Sequence, residues 1–155
     1  MGVKKFHGNK LTKALLKIPL KVFLMKEKKL IASKYDFLSC TFVKGKLICV
    51  GGFKPTPYSA EFKFIISYNG KSVPNVHVIE PTIEFSHDIH IYPQDGSLCL
   101  YHSKKDNLNW DYIEHHLYDT IIPWTLEWFV YYELYMISGK WEHPYVEHRK
   151  SKEKI

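Results

Sequence analysis

Between Thr120 and Ser138 the chain is apolar on nearly every side, and that segment constrains everything it can fold into. Asp119 or Thr120 can cap it, Pro123 fits its first turn and Gly139 can end it, so it reads as one long helix. A helix apolar all round needs burial on more than one face. It does not read as a membrane span. The stretch is barely long enough, and Glu127 and Glu133 would each cost about 2.5–3.5 kcal/mol in a bilayer. Something in the same chain has to cover it.

The cover is legible upstream. Leu38–Val43 turns at Lys44-Gly45-Lys46 and returns as Leu47–Val50, a hairpin pattern. Gly51-Gly52, Pro55 and Pro57 mark a loop, and Glu61–Tyr68 follows with Phe62, Phe64 and Ile66 on one face. Asn69-Gly70 signals a tight reversal into Val76–Ile79, bounded by Pro74 and Pro81. Four short strands joined by short turns predict an antiparallel meander, and with the helix an α+β fold. Ahead of it, Asn9 can cap a short helix over Lys10–Ile18 that Pro19 stops. Leu20–Lys34 fits either a helix or a strand followed by a loop.

At 155 residues, with 45% hydrophobic and 25% charged residues, the chain is expected to form a single domain over 1–155 with a basic tail after about residue 148. The 4 Trp, 11 Tyr and 9 Phe give its core few but bulky pieces. The net charge of +6 lies largely near the two ends and comes without a ribonucleoprotein signature or an arginine-rich helix, so no nucleic-acid partner is expected. No targeting segment or myristoylation motif opens the chain, so no membrane partner is expected either. Three widely spaced cysteines, Cys40, Cys49 and Cys99, fit no disulfide framework, which points to the cytoplasm.

Glu80–Tyr118 shows little periodicity, and so long a connection in a compact domain usually carries function. Its centre holds Cys99 just after the turn signal Asp95-Gly96, with His87, His90 and His102 nearby. A cysteine between leucines is ordinarily a small buried hydrophobe. A neighbouring imidazolium, however, lowers a thiol's pKa and favours the reactive thiolate. Zinc is a competing reading for His87, His90, Asp95, Cys99 and His102, yet no short ligand pair of recognisable spacing occurs, so neither a metal nor another cofactor is assigned. Phosphate-binding glycine loops and nucleophile elbows are missing from the sequence. Cys40 and Cys49 sit inside strand patterns and read as core.

The order of elements, together with Gly96-Ser-Leu98-Cys99-Leu100 and the downstream Trp110, resembles the ubiquitin-conjugating enzymes. The Pro55-Thr56-Pro57-Tyr58 loop ahead of Phe62 and Phe64 is similar to that family's equivalent turn and strand. Bacterial members found in CBASS antiphage operons resemble the chain more closely, over roughly Lys44 to His148. The similar stretches include Gly52 with Pro55, Ile66-Ser-Tyr68, Val76 to Pro81 and His90-Ile-Tyr92. They continue through Leu98 to Tyr101, Ile122 to Trp124, Tyr132-Glu133 and Ser138 to Trp141.

The resemblance implies a UBC-like fold: an N-terminal helix, a four-stranded antiparallel meander, a long active-site segment and C-terminal helices. It implies a ubiquitin-conjugating-like acyltransferase in which Cys99 is the nucleophile, carrying a protein C-terminus as a thioester and passing it to an amine. The donor implied is the C-terminus of the operon's nucleotidyltransferase, supplied through an activating enzyme, with a lysine on a target protein as acceptor. The family's asparagine is missing; its place falls near His90 to Tyr92. His90 can supply a ring N–H to an oxyanion, with pH-sensitive transfer, or fix the loop as a structural partner. His102 can be a thiolate partner or a surface residue. The alternatives are a catalytically inert protein-binding module of the same fold and a metal-dependent hydrolase built on the histidines.

Overall fold

The computed structural model describes residues 18–101 and 109–143. Its elements run α1 (Leu20–Lys34), β1 (Leu38–Val43), β2 (Lys46–Phe53), β3 (Phe62–Tyr68), β4 (Asn75–Glu80) and α2 (Ile121–Ser138). The helix expected over Lys10–Ile18 lies outside the described residues, apart from Ile18 in a bend before Pro19. Of the two readings open for Leu20–Lys34, the helix is the one formed. Pro19 stands at its N-cap with φ −57°, next to the first-turn N–H groups that a helix leaves without an internal partner.

The four strands pair in sequence order as an antiparallel meander. On β3, Phe62, Phe64, Ile66 and Tyr68 are all buried at alternate positions, as the period of two predicts. Direct partners share a face, so Cys40, Cys49, Ile66 and Val76 form one row across all four strands. The loop expected at Gly51-Gly52 is instead the end of β2. A Cβ on Gly51 would lie 2.5 Å from Leu38 Cδ2 and 3.0 Å from the Phe37 carbonyl, so glycine here lets β1 close onto β2 and does not break the strand.

One core cluster holds residues of both helices and all four strands. α1 contributes Leu24, Glu27 and Ile31. α2 covers the sheet with Phe129, which is fully buried and stacks on Phe62 at 4.6 Å between ring centroids. Burying a side chain of that size stabilises a fold by roughly 1.5–3 kcal/mol. A second side of α2, carrying Trp128 and Tyr132, is buried as well. Burial on more than one face is therefore met, while Val130, Leu134 and Ile137 at i, i+4 and i+7 leave a third side open. Gly139 closes the helix in the left-handed conformation, as expected. It is the single C-terminal helix among the described residues, and none of the helices there is long and apolar enough to cross a membrane.

Candidate functional site

The connection between β4 and α2 contains more order than its sequence suggests. Ile91 and Leu98 form an antiparallel bridge. The Tyr92 N–H donates to the Ser97 carbonyl at 2.8 Å, and the Cys99 N–H donates to the His90 carbonyl at 2.9 Å. Residues 89–101 are thus a short two-stranded ribbon turning through 92–97. The Leu98 N–H reaches the Val76 carbonyl of β4 at 2.9 Å, so the ribbon hangs from the edge of the sheet.

The turn is built from its own side chains. The Asp95 carboxylate accepts from the Ser97 hydroxyl at 2.7 Å and the Ser97 N–H at 2.9 Å. Those two bonds hold the Asp95 carboxyl below its ordinary pKa. Gly96 has φ 75°, a left-handed position that glycine adopts without strain. His77 Nε2 lies 3.1 Å from the Asp95 carbonyl and ties the turn to β4.

Because successive side chains alternate across a strand, the register sorts the ribbon into two faces. Ile89, Ile91, Leu98 and Leu100 share one and are all buried in the core. His90, Tyr92, Ser97, Cys99 and Tyr101 share the other. His90 and Cys99 are direct cross-strand partners, and Tyr92 is the diagonal neighbour of Cys99. This alternation is visible in the sequence as His90-Ile-Tyr92 and Ser97-Leu-Cys99-Leu-Tyr101. The expectation of little periodicity over this stretch is corrected: each arm is too short, and the turn between them too polar, for the pattern to register along the whole connection.

Cys99 is 2% exposed, and its thiol donates to the Tyr101 carbonyl at 3.6 Å. The Tyr92 side chain also hydrogen-bonds Cys99, and it is 40% exposed at the surface. Burial first, and then that bond and the charge a thiolate would carry, push the Tyr92 hydroxyl well above the ordinary phenol value. Tyr101 is shifted upward by the same two causes, burial and Cys99. Both phenols therefore keep their protons at neutral pH, and the Tyr92 hydroxyl is the one that donates toward the sulfur. Tyr92, which the sequence marks only as part of the stretch where the asparagine is missing, joins the candidate site.

His90 is buried, and its carbonyl takes a second donor, Trp128 Nε1 of α2, at 3.0 Å. Its ring stacks on Trp141 with centroids 5.6 Å apart. Beyond Trp141, His143 Nε2 meets Glu127 at 3.1 Å. His102 lies outside the described residues. His87 is exposed and packs edge-on against Phe85. Trp110 packs on β3 instead, donating to the Tyr68 hydroxyl at 3.3 Å. Among the described residues no three or more His, Cys, Asp or Glu side chains gather closely enough to hold a metal ion.

A family model described as the type II CBASS E2 protein matches residues 27–149, a span that holds the second half of α1, the whole sheet, Cys99 and all of α2. No protein with a curated description matches the chain.

Proposed function

The chain belongs to the type II CBASS E2 family, and from that premise we propose that Cys99 carries a protein C-terminus as a thioester and passes it to an amine. Membership gives a role in CBASS antiphage systems; the chemistry is our reading. The observation that carries it is the polar face of the ribbon, where the Cys99 thiol shares a hydrogen-bonded support with the Tyr92 phenol that donates toward it.

In this reading the Cys99 sulfur attacks the activated carboxyl of a donor, an acyl adenylate or a thioester held on an activating enzyme. The donor is the C-terminus of the nucleotidyltransferase encoded alongside. A lysine amine of a target then attacks the carbonyl carbon, a tetrahedral oxyanion forms and collapses, and the Cys99 thiolate leaves. The thioester already stores the activation, so the protein has to position the reactants and stabilise the developing charge. We assign the oxyanion donor to the Tyr92 hydroxyl and loop support to His90, whose carbonyl holds both Cys99 and Trp128. The fold would be UBC-like and the protein would act in the cytoplasm.

The burial of Cys99 favours a second reading, an inert protein-binding module of the same fold in which that sulfur is core. For the transferase, the donor tail has to displace part of the cover, and the exposed Tyr92 ring is the piece that can swing aside. Co-expression with the operon's other proteins, read on a non-reducing gel, separates the two. The transferase gives a higher band that thiols remove and that Cys99→Ala abolishes. The module co-purifies with its partner without a covalent band, equally well with and without the Cys99 sulfur.

A further inference from the structure

β1 and β2 bring together two thiols that the chemistry proposed at Cys99 leaves unused. Cys40 and Cys49 are direct partners in the antiparallel register, and their sulfurs lie 2.7 Å apart. Opposed residues of antiparallel strands have Cα atoms about 4.5–5.5 Å apart. Disulfides span about 4.4–6.8 Å between Cα atoms, so a bond can close here without a shift in register. The two sulfurs are also unlike. Cys40 is half-buried, whereas Cys49 is fully enclosed beneath the sheet's covered face. Lys28 of α1 reaches over the Phe42 ring at 5.2 Å, two residues along the strand from Cys40. The hydrogen bond the two sulfurs share, and the Lys28 charge, favour the Cys40 thiolate; the same bond and burial keep the proton on Cys49.

We propose that Cys40 and Cys49 are a reversible thiol–disulfide site, closing into a cross-strand disulfide when a low-molecular-weight disulfide becomes abundant. The Cys40 thiolate attacks one sulfur of the small disulfide, forming a mixed disulfide and releasing one small thiolate. The Cys49 sulfur then attacks Cys40, displacing the second small thiolate, which takes up the proton Cys49 loses. Two protein thiols are oxidised by two electrons in total, and one small disulfide is reduced to two thiols. Oxidation leaves Cys99 as the one reduced cysteine of the three. The odd cysteine count and wide spacing conceal this pair, because only the hairpin register brings the two sulfurs together.

The test uses the full chain equilibrated in mixtures of reduced and oxidised glutathione, then quenched with acid and alkylated. Trypsin separates Cys40, on the peptide Tyr35–Lys44, from Cys49, on Leu47–Lys63. The expected result is a cross-link between these two peptides and an intact mass lower by two hydrogens, both reversed by dithiothreitol. Cys40→Ser and Cys49→Ser each remove the cross-link, and Cys99→Ser retains it. The proposal is overturned if both peptides stay separately alkylated or glutathionylated under fully oxidised glutathione, or if the cross-links recovered join Cys99 instead.

Discussion

Tyr92 combines two properties that rarely coincide: a ring exposed to solvent and a hydroxyl bonded to a buried sulfur. Its backbone is pinned from both directions, donating to the Ser97 carbonyl and accepting from the Gly96 N–H at 2.8 Å. The phenol can therefore rotate out while its Cα stays fixed. Tyr92→Phe keeps the ring and removes only the hydroxyl. With the oxyanion role assigned to that hydroxyl, discharge of a preformed Cys99 thioester to an amine should slow by roughly 10²-fold. Single-turnover discharge, followed on a gel after the charging step has been quenched, measures this directly. An unchanged discharge rate with slower charging would make Tyr92 a cover for the sulfur and nothing more.

At the scale of elements, α2 serves two partners with two adjacent aromatic residues. Phe129 packs on β3 through Phe62 and Phe64, while Trp128 donates to the His90 carbonyl that also holds the Cys99 N–H. Trp128→Phe should cost about 1–3 kcal/mol from lost volume and a lost hydrogen bond. Its effect should fall on the ribbon, so that amide exchange at Cys99 and Leu98 accelerates more than exchange in β2 and β3. Phe129→Leu should cost a comparable amount and loosen the strands first. Equal loss of protection everywhere in both variants would mean that ribbon and sheet open as one unit. The sequence made the sheet side of this arrangement legible, because β3 alternates cleanly through Phe62, Phe64, Ile66 and Tyr68. It placed Cys99 in the long connection between β4 and α2, yet hid the ribbon that holds it, since each arm is short and the turn between them is polar. The apolar–polar alternation is present, but over arms this short it sits at the lower limit of length at which a period of two marks a strand.

Across the whole molecule, Glu27 joins regions that the sequence keeps 90 positions apart. It is 3% exposed on α1, and its carboxylate accepts from the Leu117 N–H at 3.0 Å and meets His116 Nδ1 at 2.7 Å. The buried face of α1 is Leu24, Glu27 and Ile31, so one of its three inward positions is a charge. Hydropathy could not mark that face, and a strand remained an open reading for the segment for that reason. Burial raises the Glu27 pKa above its ordinary 4.5, outweighing the bonds from His116 and Leu117 that lower it. The folded state therefore binds this proton more tightly than the unfolded chain does. The stability Glu27 contributes is full below about pH 4.5 and is lost as pH rises through its raised folded value. Glu27→Gln cannot ionise, so the unfolding free energy of the variant relative to the parent should climb as pH rises through that window. Urea unfolding of both proteins at a series of pH values reads the Glu27 site, because titrations remote from it cancel in the difference. A difference that stays flat would show that the His116 and Leu117 bonds balance burial, and one that turns toward the parent as pH rises would show that they outweigh it and that the Glu27 carboxylate is a net anchor between α1 and the segment leading into α2.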